Sequence, residues 1–102
     1  DTFTVPKSVT TIEASAFANN SHLTEVIISK GVTVLEENAF RWCKKLKKIT
    51  LPRTLTHIEY AAFDDCDELE TVVYQGTEKQ WEAVKVAPEN YRLTGADFTY
   101  ND

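Results

Sequence analysis

Apolar side chains recur along the chain at intervals of 23 residues. Phe17, Phe40 and Phe63 show this offset, and an alanine precedes each of them. A constant offset is typical of solenoid proteins, in which repeats stack because one repeat cannot bury its own apolar edge. We therefore expect positions 23 apart to lie beside each other in the fold. The other apolar columns are Val9, Val32 and Leu55; Ile12, Leu35 and Ile58; Ala16, Ala39 and Ala62; Leu23, Leu46 and Leu69; Phe3, Val26, Ile49 and Val72; and Val5, Ile28, Leu51 and Tyr74.

Two short patterns follow each other inside each repeat. Residues 26–28 and 49–51 are rich in β-branched side chains, which predicts strands of about three or four residues. A second extended piece, as at residues 32–35, leads into the pattern Glu-x-x-Ala-Phe. The small alanine beside the bulky phenylalanine favours a short helical turn that packs inward. The predicted fold class is α/β, a solenoid that forms a right-handed β-α superhelix of short strands and short helical turns.

The C-terminal part departs from this pattern. Residues 78–84 have helical spacing, and Thr77 is suited to be the N-cap. Trp81 falls 23 positions after Ile58, in the column of that residue. We therefore expect a C-terminal capping helix whose indole ring covers the last rung. Residues 98–100 alternate well enough to predict one final strand.

The same pattern predicts a single domain over residues 1–102. It consists of a partial unit at 1–8, repeats at about 9–31, 32–54 and 55–77, and the cap at 78–102. The strand at residues 3–5 lacks the half-unit that precedes the later strands, which predicts further repeats upstream. The chain starts at Asp1 without a basic and apolar leader, so we expect a mature domain or an excised fragment.

One repeat carries a recognisable signature. Residues 46–52 read Leu-Lys-Lys-Ile-Thr-Leu-Pro, Leu55 and Ile58 follow, and residues 62–66 read Ala-Phe-Asp-Asp-Cys. The tail contains Tyr74, Gly76, Thr77 and Trp81 in a spacing that looks like a common terminal unit. Nearly the whole chain resembles the BspA-like leucine-rich repeat family, whose units read L-x-x-I-x-I-P-x-x-V-x-x-I-x-x-x-A-F-x-x-C.

The resemblance implies a leucine-rich-repeat solenoid and a binding function. Proteins of that family are typically large, secreted or surface-attached, occur in host-associated bacteria and some protists, and tend to act in adhesion to host matrix proteins or other cells. The family has no catalytic residues to carry over. The chain departs from the family pattern in that Asn20 replaces a cysteine and Glu13, Glu36 and Glu59 replace a frequent glycine.

Composition narrows the possible functions. Apolar residues make up 42% and charged residues 26%, close to the soluble average, and no apolar run is long enough to span a bilayer. A net charge of −5 argues against nucleic-acid binding, which needs a clustered positive surface. His22 and His57 lie in different columns, with no nucleophile spaced to join them. We expect no enzyme activity, no cofactor and no membrane insertion.

Two columns raise the question of disulfide or metal chemistry. Cys43 and Cys66 should lie about 5 Å apart, within disulfide range. Parallel side chains fit a disulfide dihedral poorly, so buried free thiols are favoured over a bond. Glu13, Glu36 and Glu59 form a column of like charges. A bridging calcium ion is conceivable there, but solvated glutamates are favoured because the sequence lacks a calcium-loop motif.

Charges in the second and third repeats are complementary in register. The aligned pairs are Arg41 with Asp64, Lys44 with Asp67, Lys45 with Glu68, and Lys47 with Glu70. This arrangement favours ion pairs between stacked repeats. The alternative is a basic patch that recruits an acidic partner or a glycan.

The candidate binding surface is the outward face of the strands. Residues that alternate with the core columns should point outward there, and Trp42 lies outside every apolar column. The candidate partner-binding residues are Thr4, Ile27, Thr50, Val73, Lys47, Lys48 and Trp42.

Three functions remain open at this point. The favoured one is a monomeric protein-interaction or adhesion module of an extracellular or cell-surface protein, with a host matrix or cell-surface protein as partner and a glycan as a second possibility. The alternatives are an auxiliary domain of a multidomain extracellular enzyme and a spacer. The sequence of the parent protein would distinguish them.

Overall fold

The computed structural model describes residues 1–101, a chain of nine short strands and two short helices; Asp102, the last position of the expected domain, lies outside the described residues. The strands are short because each crosses only one side of a coil. In chain order the elements are β1 (Thr2–Thr4), β2 (Thr11–Ile12), β3 (Glu25–Ile27), β4 (Val34–Leu35), β5 (Lys48–Pro52), β6 (His57–Ile58), β7 (Thr71–Gln75), α1 (Glu78–Glu82), β8 (Lys85–Val86), α2 (Tyr91–Thr94) and β9 (Asp97–Thr99).

The strands form two parallel sheets, and the chain alternates between them up to β8 as it winds. The first sheet has the order β1-β3-β5-β7-β9, and the second has the order β2-β4-β6-β8. Residues 23 apart are partners in both sheets, as in Val26 with Ile49 and Leu35 with Ile58. The chain is therefore a β-solenoid of about four turns, which confirms the predicted solenoid and its 23-residue stacking.

The phenylalanine column confirms the stacking directly. The ring centroids of Phe17 and Phe40 are 5.1 Å apart, and those of Phe40 and Phe63 are 5.3 Å apart, with nearly parallel planes. Phe40 and Phe63 are fully buried, whereas Phe17 is partly buried at the first coil. Burial of these rings adds to the stability of the stack, because each buried apolar side chain contributes about 1.5–3 kcal/mol.

Turns form the third side of each coil, where short helices were expected. The residues just before the Ala-Phe pairs, Ser15 and Asn38, have φ of 59° and 60°, in the left-handed region. A right-handed helix cannot continue through such a residue. Backbone hydrogen bonds join these turns between coils instead, as from Phe17 N to Ala39 O and from Phe40 N to Ala62 O, both 2.8 Å.

The helix α1 begins where it was expected. Thr77 caps it through a capping box, in which Gln80 N donates to Thr77 Oγ1 at 3.1 Å and Thr77 N donates to Gln80 Oε1 at 2.8 Å. The helix is a single turn of five residues. Within residues 1–101, no helix has the length and apolar character needed to cross a bilayer.

The expected column position of Trp81 is wrong. Val86, on β8, is the register partner of Ile58. The offset here is 28 residues because α1 adds five residues between the two sheets. The indole ring instead packs beside Tyr74 at 5.3 Å and Phe98 at 4.9 Å. The final strand pairs with β7 over Asp97–Thr99, which confirms the strand expected near residue 98.

Candidate interaction surface

One column of side chains crosses all five strands of the first sheet. Register pairs join Thr4 to Ile27, Ile27 to Thr50, Thr50 to Val73, and Val73 to Thr99. These residues alternate with core residues on their strands, so their side chains lie on the outward face. The four residues expected to share this face do so, and Thr99 extends the column.

Exposure along the column is uneven. Thr4 and Thr99 are exposed, and Ile27 and Val73 are partly exposed. Thr50 is only 7% exposed, so its expected exposure is wrong. The reason is its place in the middle of the sheet, where the larger side chains of Ile27 and Val73 flank it on both neighbouring strands. It contributes packing to the face and little contact area.

Lys48 begins β5 at the far end of the same face, and Lys47 immediately precedes this strand. Both side chains are exposed. Lys48 is the register partner of Glu25 on one side and Thr71 on the other. Lys48 therefore lies beside an acidic residue on one neighbouring strand and an uncharged residue on the other.

Trp42 lies apart from the strand face. Its backbone N donates to Asp64 O at 3.0 Å, which places it on the turn side of the coil. The ring is partly covered because the Arg41 guanidinium lies 4.2 Å from its centroid. The backbone of Trp42 has a φ of 65°, in the left-handed region. The residue is 38% exposed. The structure therefore does not bring Trp42 together with the strand residues.

Three cations that the sequence analysis missed flank the strand face. Lys7, Lys30 and Arg53 follow the first-sheet strands at the 23-residue offset. They line depressions that also contain Thr4, Ile27, Val73 and Thr99. The signal in the sequence that indicates them is their shared 23-residue offset.

Ion pairs on the turn side confirm part of the expected charge pairing. Arg41 Nη2 lies 3.4 Å from Asp64 Oδ2, and Lys44 Nζ lies 3.0 Å from Asp67 Oδ2. Arg92 of α2 adds a third pair, 3.5 Å from Asp67 Oδ1. The other two expected pairs, Lys45 with Glu68 and Lys47 with Glu70, are not among the ion pairs formed within residues 1–101.

The cysteine column contains free buried thiols, as favoured from the sequence. Cys43 Sγ donates to Phe17 O at 3.2 Å, and Cys66 Sγ donates to Phe40 O at 3.1 Å. The neighbouring Cys43 thiol and burial raise the pKa of Cys66, so this thiol stays neutral. These residues satisfy turn carbonyls between coils.

The glutamate column has a structural contact of its own. Glu36 Oε1 accepts a hydrogen bond from Ala14 N at 3.2 Å, between neighbouring coils. In the described part of the chain, no group of three or more histidine, cysteine, aspartate or glutamate side chains could hold a metal ion.

One comparison with known proteins agrees with this architecture. Neither the curated proteins nor the solved structures gave a match. The model of one family, described as BspA type leucine rich repeat region (6 copies), matches residues 1–83. The match covers most of the chain and includes the three strand-and-turn units that stack through Phe17, Phe40 and Phe63. The chain therefore belongs to the BspA type leucine-rich repeat family.

Proposed function

We propose that this chain is a non-catalytic module that binds a protein partner through the outward face of the five-stranded sheet. The observation that carries the proposal is the column from Thr4 to Thr99, which holds equivalent positions in register on five parallel strands. Solenoids present such rigid strips to their partners. Leucine-rich-repeat domains commonly mediate protein binding, and this chain is a member of one such family.

The chemistry of the face supports a protein partner. Ile27 and Val73 are partly exposed aliphatic side chains, and Thr4 and Thr99 are exposed and uncharged. A central uncharged strip with charged side chains at its margin is the usual composition of a protein interface. The backbone is held by parallel pairing, so little ordering entropy is lost on binding.

We further infer that the module belongs to a secreted or surface-attached bacterial protein that adheres to a host matrix or cell-surface protein. The typical location of this family supports the inference. The proposed module acts as a monomer, because the whole column lies within one chain. A spacer or an auxiliary domain of a multidomain extracellular enzyme is the second candidate, and a glycan is the second class of partner.

Two architectural features belong to the same proposal. Residues 1–102 act as one domain, and the segment from residue 78 closes the stack as a cap. The packing of Trp81 against Tyr74 and Phe98 supports the cap. The proposed superhelix is right-handed, because connections between parallel strands of one sheet are right-handed in about 98% of cases.

A matched pair of variants tests the proposed surface. Ile27 and Val34 are partly exposed β-branched residues on the outward positions of the two sheets, in the same coil. The purified chain and its Ile27→Asn and Val34→Asn variants would be screened against immobilised matrix proteins, cell-surface proteins and glycans. We expect a protein ligand whose affinity falls roughly tenfold in Ile27→Asn and is unchanged in Val34→Asn. Equal effects of the two substitutions, or silence across the panel, would contradict the proposal and favour the spacer.

A further inference from the structure

Two depressions on the outward face of the first sheet join into one trough. One is lined by Thr4 and Ile27, the other by Val73 and Thr99, and both are lined by Lys30 and Gln75. Because they share these two residues, the depressions adjoin, and together they have lining residues on all five strands. We name this surface the strand trough.

Every charged side chain that lines the strand trough in the described residues is a cation. Lys7, Lys30 and Arg53 line it, and no aspartate or glutamate among residues 1–101 does. All three side chains are exposed. None of them forms an ion pair within residues 1–101. By contrast, Arg41 and Lys44 on the turn side are each paired with an aspartate. The trough is thus a local positive surface on a protein of net charge −5.

We propose that the strand trough binds an extended acidic segment of the partner protein, in which acidic and aliphatic residues alternate. This inference rests on the proposed function and specifies the chemistry of its partner. The acidic side chains pair with Lys7, Lys30 and Arg53. The aliphatic side chains lie against Ile27 and Val73.

The spacing of the cations matches an extended chain that runs across the strands. Adjacent strands are about 4.8 Å apart, so the row from Lys7 to Arg53 spans roughly 10 Å. Alternate residues of an extended peptide lie on the same side, about 6.6 Å apart. Two or three acidic side chains spaced in this way reach the row, because lysine and arginine have long flexible stems.

The aliphatic wall of the trough favours a peptide over a polyanionic glycan. Ile27 and Val73 offer branched hydrocarbon surface, which is stabilised by contact with other aliphatic groups. A charged polysaccharide would meet the cations but would place hydroxyl groups against these side chains. An alternating peptide satisfies both walls together.

Direct titration with defined probes tests the proposal. The first probe is a fluorescent peptide in which three glutamates alternate with two valines, and the second is a scrambled peptide of the same composition with its glutamates adjacent. The third probe is a polyuronate oligosaccharide. Fluorescence anisotropy at low salt would measure the affinity of each probe for the whole chain. We expect the alternating peptide to bind most tightly, with an affinity that falls as salt is added.

Two double variants locate the binding. Lys30→Ala with Arg53→Ala removes two trough cations and keeps the Arg53 Cβ, which lies beside Gly76. Lys45→Ala with Lys85→Ala removes two exposed cations elsewhere, with the same change in net charge. We expect roughly tenfold weaker binding for the trough variant and less than about twofold for the control. Circular dichroism of both variants would establish that they are folded.

Each contrary outcome overturns the proposal. Equal binding by the two double variants would place the site elsewhere, and equal binding of alternating and scrambled peptides would exclude an extended acidic segment. Tighter binding of the oligosaccharide would identify a glycan site, and the absence of binding by all three probes would leave the trough without this ligand class. The proposed function would survive these results if a screened protein still distinguished Ile27→Asn from Val34→Asn. It fails by itself if no screened protein makes that distinction.

Discussion

The side chain of Asn90 occupies the place of a missing backbone partner for Phe63. Asn90 Oδ1 accepts a hydrogen bond from Phe63 N at 2.9 Å. In the two earlier coils, the equivalent amides of Phe17 and Phe40 donate to backbone carbonyls of the next coil. Asn90 Nδ2 also donates to Ala87 O at 2.9 Å and to Glu59 O at 3.0 Å. One amide group therefore ends the turn-side stack without leaving it unsatisfied.

Substitution of Asn90 should destabilise the protein strongly. Asn90→Ala removes one acceptor and two donors from a position that is 2% exposed. Because unsatisfied buried polar groups are costly, we expect a loss of roughly 2–4 kcal/mol in the free energy of unfolding. Urea denaturation would measure it. Asn101→Ala, at an exposed position, is the control and should change stability by less than about 0.5 kcal/mol. A loss for Asn90→Ala as small as the control would show that the amide does not terminate the stack as described.

The phenylalanine stack should be most sensitive at its centre. Phe40 is fully buried between two rings, whereas Phe17 is partly exposed. We expect Phe40→Ala to cost about 3–5 kcal/mol and Phe17→Ala clearly less, since less buried surface is lost. Thermal and urea unfolding of both variants would compare them. Equal losses would mean that the first coil is covered more fully than its exposure indicates.

Asp67 should contribute a stabilisation that depends on salt. Its carboxylate pairs with Lys44 at 3.0 Å and with Arg92 at 3.5 Å, and all three side chains are about half exposed. We expect Asp67→Ala to lower stability by about 1 kcal/mol at low ionic strength, because exposed pairs contribute little each. The loss should shrink at about 1 M salt, where the Debye length is about 3 Å.

Glu68→Ala is the matched control for this charge effect. It removes an exposed carboxylate that forms no ion pair within residues 1–101. Urea midpoints at the two salt concentrations would give the comparison. A salt-independent loss in Asp67→Ala would assign its effect to packing.

Tyr74 should make the protein less stable at alkaline pH. Burial raises the pKa of Tyr74 above the ordinary tyrosine value of 10.0. The folded protein therefore keeps the phenolic proton at a pH where the unfolded chain has released it. The free energy of unfolding is therefore at its full value below the ordinary tyrosine pKa. It falls as the pH rises from that value toward the raised pKa of Tyr74 in the folded protein.

Urea midpoints about one pH unit below and above the ordinary tyrosine value would measure this loss. Tyr74→Phe should reduce the alkaline loss, and Tyr91→Phe should not, because Tyr91 is 72% exposed. The same alkaline loss in wild type and Tyr74→Phe would assign it to another group.

The sequence was sufficient to predict the stacking and the shared strand face. Both follow from a constant offset, which places Phe40 over Phe63 and Ile27 beside Thr50 whatever the details of each turn. The predicted column position of Trp81 is wrong because α1 adds residues to the repeat. A fixed offset cannot detect where extra residues are inserted. The expected helical turns do not form because a left-handed residue precedes each Ala-Phe pair. Residue propensity does not reveal such a backbone conformation.

The candidate site was predicted only in part for a related reason. Alternation along β5 gives the direction of the Thr50 side chain, but its burial depends on neighbours in the adjacent strands. Trp42 was separated from the strand face by the path of the turn, which one-dimensional spacing does not describe. The cations at Lys30 and Arg53 were visible as a column, yet their common depression emerges only when the strands are paired.

The extra residues of α1 show where this architecture tolerates a change in length. The chain leaves the first sheet after β7, passes through α1 and enters the second sheet at β8. Val86 of β8 still pairs with Ile58. The corner between Gly76 and Lys85 therefore shows that the spacing between two neighbouring sheets can lengthen while the register of the strands on either side is kept. Repeats of this kind can diversify by lengthening a corner while their cores stay the same.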